Sequence, residues 1–397
     1  MSDAKGVVTV KELVQLTKLG IPLHHVTWSR VTMTSDSHIC VRYEQHEGPS
    51  RNGVKGQMMV ISLRDGVTHK KWPMSPESAK VSPSSSCNSN QPFVAIKTGD
   101  TIMVLHTDRN AWDIVAKCFM EKVSFWTWID ECTLALVTDS AVRHWNVTKN
   151  VIPQIVFSLH QRLTYAEIIN YKTDSSFNWL AVTGLLAQEY HISGITQLYS
   201  TESGLTQCIT AHSVTFFTYT FEGNRFPSTG LAVAARHEES YDCNSNTQGK
   251  VHVIELGPHQ EGNLAPVNVC DQIKFHDGEN KYDFPVAIQV SPLFGLLYVL
   301  TKYGQMYICD IENATCLIST SVTSNIIFTS ALDVSSQGIV AVCRSGKVLH
   351  IGVNLEELSH HVRHVSRKPV LAQKIERTAS RCLSGAATVS SGASSAS

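Results

Sequence analysis

Histidine, with 18 copies in the chain, is the residue type that first invites a chemical reading. An imidazole can ligate a metal or carry a proton near neutral pH. His24–His25 and His360–His361 are adjacent pairs whose side chains diverge in a helix or strand, whereas His361 and His364 can share one helical face. Without a carboxylate or cysteine partner nearby, two imidazoles are more often solvated surface than a metal site. The acid pairs Glu238–Glu239 and Glu356–Glu357 fall in polar contexts and read as exposed. The 11 cysteines are odd in number and scattered, several of them (Cys40, Cys309, Cys343) inside apolar strand-like segments. No C-x-x-C pair occurs, so a zinc ribbon is unsupported. H-E-x-x-H, G-x-S-x-G, the P-loop and G-x-G-x-x-G are all absent. The sequence therefore predicts no metal, no cofactor and no catalytic centre.

What must be positioned is consequently a surface rather than a reaction centre. The 397 residues suffice for one large domain or two to three ordinary ones. Hydrophobic residues make up 43% of the chain, which suits a folded core, while charged residues are only 17%. A net charge of −1 gives no single-sign field to hold nucleic acid or an anionic membrane. The opening MSDAKGVVTVKEL lacks the apolar stretch and cleavage-like site of a signal peptide. The longest apolar run, near Leu293–Leu300, is far short of the roughly 20 residues that span a bilayer. The expectation is a cytosolic chain with reduced thiols, in which the sequons at Asn146 and Asn313 are accidental.

One unit returns seven times: a short apolar strand, a turn often centred on Gly, Asp or Asn, and a second alternating strand. The clearest copies are Pro92–His106, Thr133–Val147, Gly295–Ile311 and Gly338–Val353. Looser ones are His38–Leu63, Trp179–Ser200 and Gly230–Leu256. A strand-built repeat of roughly 40–50 residues marks a β-propeller, whose hairpins bury their faces against neighbouring blades. In Thr101–Thr107, Ile102 and Val104 alternate with Met103 and Leu105, so both faces are apolar, as a sandwiched blade requires. Ser82–Gln91, Arg236–Gly249 and Gly257–Pro266 read as surface loops. After Val353 the period becomes helical (Leu355, Leu358, Val362, Val365, then Leu371 and Ile375), interrupted at Pro369. The expected architecture is all-β: a seven-bladed β-propeller over 1–353, the start of an α-helical linker over 354–383, and a disordered Ser/Ala-rich tail over 384–397.

The segments Leu16–Ile21, Met33–Arg42, Val123–Ile129, Ala135–Trp145, Ile168–Asp174, Trp179–Gln188, Gln197–Ser200, Asp283–Ser291 and Leu300–Cys316 decide the family. In this order, from about Leu16 to Leu371, they resemble the amino-terminal domain of clathrin heavy chain. The resemblance implies a seven-bladed propeller that binds short linear peptides of adaptor and accessory proteins, in grooves between blades and at the centre of one face. KPVLAQKIE (Lys368–Glu376) resembles the family's first linker helix. The long legs and trimerisation region of the family have no counterpart in the sequence, so no self-trimerisation is expected of this chain.

Carried onto this sequence, the main groove between the first two blades places Thr101 at a groove threonine, Met103 at a Gln and Leu105 at a Phe, with Val94 and Ile96 as aliphatic lining. The family's two peptide-facing lysines fall at Asn110 and Trp112, and an Arg falls at Trp72, beside Lys70 and Lys71. Lys71 and Arg109 are then the remaining groove cations. Exposed ion pairs are worth roughly 0–1 kcal/mol each, so losing two weakens an acidic peptide by up to about thirtyfold. Alternatively Trp72 and Trp112 enlarge the apolar contact and change the preferred ligand. A second site, for a Trp-containing peptide, maps to Trp28, Glu167, Ile169 and Leu185, with Trp28 in place of Phe and Glu167 in place of Gln. A peripheral site keeps Gln207 but has Ser203 where the family has Arg.

The resulting expectation is a non-enzymatic peptide-docking propeller of vesicle coats, cytoplasmic or on the cytoplasmic face of coated pits and vesicles. It binds no nucleic acid and does not insert into membranes. The alternatives are a degenerate scaffold or soluble competitor that does not join a lattice, and a propeller hydrolase.

Overall fold

The computed structural model describes residues 6–46, 54–64, 67–83, 92–106, 113–149, 151–188, 191–237, 248–275 and 282–391. These form seven four-stranded antiparallel sheets, arranged as the blades of a propeller. The first strand, β1 (Val8–Gln15), belongs to the last blade. Blade 1 is β2 (Val31–Thr32), β3 (His38–His46), β4 (Val54–Ser62) and β5 (Thr68–Trp72). Blade 2 is β6 (Ser78–Val81), β7 (Phe93–Thr98), β8 (Thr101–His106) and β9 (Ile114–Phe119). Blade 3 is β10 (Phe125–Trp128), β11 (Thr133–Val137), β12 (Ala141–Asn146) and β13 (Gln154–Ser158). Blade 4 is β14 (Glu167–Thr173), β15 (Trp179–Ala187), β16 (Ile192–Ser200) and β17 (Thr206–Thr210). Blade 5 is β18 (Ser213–Tyr219), β19 (Ser228–His237), β20 (Gln248–Gly257) and β21 (Asn268–Lys274). Blade 6 is β22 (Pro285–Ser291), β23 (Leu296–Thr301), β24 (Gln305–Asp310) and β25 (Cys316–Ser321). Blade 7 is β26 (Ile327–Leu332), β27 (Ile339–Cys343) and β28 (Lys347–Val353), completed by β1.

The repeated hairpin of the sequence is the middle pair of each blade. Period-2 alternation there gives each blade two apolar faces. Ile102 and Val104 pack with Trp126, Trp128, Leu134 and Leu136 of blade 3, while Leu105 packs with Cys40, Met58 and Val60 of blade 1. Each such fully buried aliphatic side chain contributes about 1.5–3 kcal/mol of transfer free energy. The turns are equally specific. Gly304 takes a φ of +82°, and a Cβ there would lie 2.1 Å from the Thr323 carbonyl oxygen. The predicted loop over Arg236–Gly249 is shorter at both ends, because β19 and β20 extend to His237 and back to Gln248.

Closure comes from the start of the chain. β1 pairs antiparallel with β28, from Val8 opposite Val353 to Gln15 opposite Lys347. Leu16 N–H then donates to the Gly346 carbonyl at 2.8 Å. A strand far off in sequence thus joins the ring's two ends and leaves no open blade.

Helix α1 (Leu355–His364) begins where Asn354 accepts the Glu356 and Glu357 N–H groups at 3.0 and 3.2 Å. Helix α2 (Pro369–Ser391) starts with its proline in the first turn, where no N–H is needed. Leu355, Leu358, Val362, Ala372 and Ile375 join the core shared by blades 6 and 7, so the helical hairpin packs on the propeller. Val365, expected on the apolar stripe, is 53% exposed just beyond α1. Ser359 and Arg363 both bond Glu376, and the Lys374 amine lies 3.0 Å from Asp310 and 3.7 Å from Glu312 of blade 6. The α2 backbone runs on to Ser391, past the boundary at 383 suggested by composition. Ala is the best helix former, so a low-complexity Ala/Ser stretch can extend a helix already started. Residues 392–397 lie outside the described ones.

Candidate functional site

β7 and β8 bring five of the expected groove residues onto one face. Val94 stands opposite Leu105, Ile96 opposite Met103 and Thr98 opposite Thr101, so Val94, Ile96, Thr101, Met103 and Leu105 all look toward blade 1. Their accessibility is graded. Val94, Ile96 and Leu105 are buried in the cluster with Met58 and Val60, and only Thr101 and Met103 remain half-exposed. The first three therefore form the floor that fixes the groove, and no ligand can displace that packing without unfolding the interface.

The accessible wall is the next strand out. β9 sets Phe119 opposite Thr101, Lys117 opposite Met103 and, after a bulge, Ile114 opposite Leu105. Cross-strand partners share a face, so all three look toward blade 1. Phe119 is 66% exposed, Ile114 is 58% exposed, and Lys117 between them is exposed as well. Ala116 and Cys118 alternate with them and are buried against blade 3. The signal was present in the sequence: a six-residue strand whose small residues fall on one face and whose large ones fall on the other. It was missed because the bulge at Val115 interrupts the alternation.

The facing wall is β5, and here the sequence reading needs correction. Trp72 pairs with Met58 and Lys70 with Val60, both of which face blade 2, and Trp72 packs on that same cluster. Lys71 pairs with Met59, which packs toward blade 7. The Lys71 amine accordingly lies 3.4 Å from the Leu19 carbonyl, on the far side of the blade from the groove. Strand alternation turns Lys71 away from this groove face and Lys70 toward it. Arg109, Asn110 and Trp112 lie outside the described residues.

The residues expected to form a second site lie toward one mouth of the central channel. Blades repeat around the channel, so all innermost strands run the same way and the loops leading into them gather at one end. Glu167 opens β14 and stands opposite Leu185 of β15, with Ile169 at the bulge between Ile168 and Asn170. Trp28, 49% exposed, lies on the loop leading into β2 and reaches the same end from blade 1. Tyr165, two residues before Glu167 and 90% exposed, is a further aromatic at this mouth that the sequence reading did not select. The peripheral pair is separate from both sites. Gln207 is exposed on β17 opposite Leu198, and the Ser203 hydroxyl accepts the Leu205 N–H in the turn before it.

The histidines are arranged differently from the expectation. His361 is buried, and His364 lies instead against His360, one helical turn away, with ring centres 4.5 Å apart. His24 and His25 do not diverge, because they sit in a short 3-10 turn with rings 4.1 Å apart. His25 contacts Arg30 at 2.7 Å and accepts the Glu44 N–H at 3.3 Å. Burial holds the thiols of Cys40, Cys118 and Cys343 above their usual range, which makes them poor nucleophiles. Among the described residues no group of three or more His, Cys, Asp or Glu side chains could hold a metal ion. No helix among the described residues is long and apolar enough to cross a membrane.

No family model matches the chain. The clathrin heavy chain of Drosophila melanogaster is 32% identical over 368 residues, which cover 93% of this chain and 21% of that protein. Clathrin heavy chain 2 of Homo sapiens is 31% identical over 368 residues, with the same coverage of 93% and 21%. The chain therefore spans about a fifth of the length of the relatives it matches. Among solved structures, a chain of the mitotic checkpoint complex superposes with a TM-score of 0.52 at 11% identity, over 87% of this chain and 94% of the other. That likeness is one of fold alone. The sequence match to the heavy chains, together with the seven closed blades, is specific: the chain belongs to the clathrin heavy chain family and carries its amino-terminal propeller.

Proposed function

We propose that this propeller is a non-catalytic docking module of vesicle coats whose groove between blades 1 and 2 holds an extended peptide from an adaptor or accessory protein. The reading is supported above all by the outward face of β9, where Ile114, Lys117 and Phe119 stand exposed over a buried apolar floor. An extended peptide meets such a face with alternate side chains. Aliphatic or aromatic ones cover Phe119 and Ile114, and acidic ones lie toward Lys117 and Lys70. In this reading Lys117 and Lys70 supply groove cations in addition to the expected Arg109, so the groove is not stripped of positive charge. The channel mouth with Trp28, Glu167, Ile169 and Leu185 is a second, less acid-tolerant docking place in the same reading. Its setting is the cytoplasm and the cytoplasmic face of coated membranes.

Fluorescence polarisation with labelled peptides carrying spaced Leu or Phe residues and flanking acids tests the groove. Binding in the micromolar range is expected, weakened about tenfold by Phe119→Ala, with the fold intact. Absence of binding below millimolar concentration, or binding indifferent to Phe119 and Lys117, would overturn it and favour a scaffold that docks no such peptide.

A further inference from the structure

The outer half of blade 6 carries a feature that peptide docking does not use. Cys309 on β24 and Cys316 on β25 stand opposite each other across the strand pair. The alignment depends on a bulge. Ile308 stands opposite Ile318, so an unbroken register would set Leu317 against Cys309, and the extra residue brings Cys316 there instead. The pair is of the non-hydrogen-bonded kind. The Asp310 N–H donates to the Thr315 carbonyl at 2.9 Å, one step nearer the turn, while the Cys316 N–H donates to the Asp271 carboxylate of blade 5 at 3.4 Å. In such pairs the side chains come closest, with Cα atoms roughly 4.5 Å apart, inside the range that a disulfide spans. Among the described cysteines no other two are register partners.

Both thiols lie on the same side of the sheet. Cys309 is fully buried in the core between blades 5 and 6, with Val253, Ile273 and Tyr307. Cys316 packs against the same core but stays half-exposed on the outermost strand. They are close enough that the ionisation of each responds to the other. Cys309 is pushed well above the ordinary thiol range by Cys316 and by burial. Cys316 is held below that range, chiefly by the neighbouring Cys309 thiol, with the Lys368 ammonium acting in the same direction. Cys40, Cys118 and Cys343 have no such neighbour and are only raised. The turn between the two cysteines is tightly built. The Asp310 carboxylate accepts the Glu312 and Asn313 N–H groups, each at 3.1 Å, and its other oxygen lies 3.0 Å from the Lys374 amine of α2. Little further ordering is therefore needed to join the two sulfurs.

We propose that Cys309 and Cys316 form a reversible disulfide site, closed by a hydroperoxide and reopened by thiols. The accessible Cys316 thiolate attacks one oxygen of hydrogen peroxide. An S–O bond forms, the O–O bond breaks, and the departing hydroxide takes up a proton and leaves as water. The Cys309 sulfur then attacks the sulfur of the resulting sulfenic acid. The S–S bond forms, the S–OH bond breaks, and the hydroxyl leaves as a second water with the Cys309 proton. The thiol pair has lost two electrons and the peroxide has gained them. In a reducing compartment such a pair rests as the dithiol and closes transiently. Closed, it staples the outer hairpin of blade 6 at the turn that holds α2.

The experiment exposes the folded, fully reduced protein to hydrogen peroxide, blocks the remaining thiols with N-ethylmaleimide under denaturing conditions, and cleaves after Glu312, which separates the two cysteines. Mass spectrometry is expected to find the two fragments joined, lighter by two hydrogens than their sum, and parted by dithiothreitol. Cys309→Ala should give no joined fragments and should accumulate a Cys316 sulfenic acid that dimedone traps, because the resolving thiol is gone. Cys316→Ala should leave Cys309 unoxidised. Recovery of both parent cysteines as maleimide adducts after peroxide, or their linkage to other cysteines rather than to each other, overturns the site. So does dimedone labelling of Cys309→Ala no greater than that of the parent. If neither variant folds, the parent measurement decides alone.

Discussion

The inner and outer edges of the blades solve the same packing problem with opposite consequences for charge. On the outer edge of blade 2, Lys117 sits between Phe119 and Ile114 on a strand facing solvent, and its charge is hydrated. On the inner edge Lys80 occupies a comparable alternating position, but neighbouring blades converge on it and two aromatic rings cover its amine. The same period-2 pattern therefore yields a hydrated cation at the rim and a desolvated one at the hub. Between them the mid-strand residues Val94 and Leu105 belong to neither surface. What separates a floor from a binding wall is radial position in the blade, which residue type does not reveal.

The largest effect should separate floor from wall. Leu105→Ala removes a fully packed side chain at the interface of blades 1 and 2 and is expected to cost about 2–5 kcal/mol of stability, read as a lower denaturant midpoint. Phe119→Ala, 66% exposed in the parent residue, is expected to change stability by less than about 0.5 kcal/mol while weakening groove peptides. If the two variants were equally destabilised, the wall would be part of the core and the groove would be closed.

The next largest effect distinguishes hub from rim by pH. The folded-state pKa of Lys80 is about 7, below the 10.5 of an ordinary lysine, so between these values the unfolded chain holds a proton that the folded chain has released. Stability therefore rises with pH across this window, and below about 7 the cost of burying the charged amine is fully present. Lys80→Met removes that cost and is expected to stabilise the protein at pH 6 by an amount on the order of 1–3 kcal/mol. The gain should shrink toward pH 10, as measured by thermal unfolding. Lys117→Met, at the rim, is expected to leave stability unchanged at either pH. A pH-independent gain in Lys80→Met would mean better packing rather than a relieved charge.

These contrasts also mark how far the sequence could be read. The seven hairpins are legible because their residues alternate over two buried faces, and the loops and the change to helical period after Val353 are legible for similar reasons. The innermost and outermost strands are not. Val31–Thr32 is too short to show a period, and in Val8–Gln15 half the side chains are exposed and none is buried, so the strand that closes the ring carries little apolar signature. Within the groove, residue type and resemblance located Thr101, Met103 and their floor, but a one-residue difference in strand face separates Lys70 from Lys71. Cys309 and Cys316 are near neighbours in sequence, but only the bulged register of β24 and β25 sets them opposite each other.

The smallest effect is the most specific for the rim. A peptide acid opposite Lys117 makes a solvent-exposed pair, which is worth at most about a fivefold change in affinity and is screened by salt. Raising sodium chloride from about 0.05 to about 0.5 M shortens the screening distance from more than 10 Å to roughly 4 Å. Groove peptides are therefore expected to weaken by a few-fold over this range in the parent and by less in Lys117→Met, with polarisation titrations as the measurement. The residual affinity of the variant should resist salt, because Phe119, Ile114 and the half-exposed Met103 act through apolar contact. A salt slope that stayed the same after Lys117→Met would move the responsible cation to the opposite wall. Lys70→Met would then be the variant to flatten it, since Lys70 is the lysine of β5 whose strand face looks into the groove.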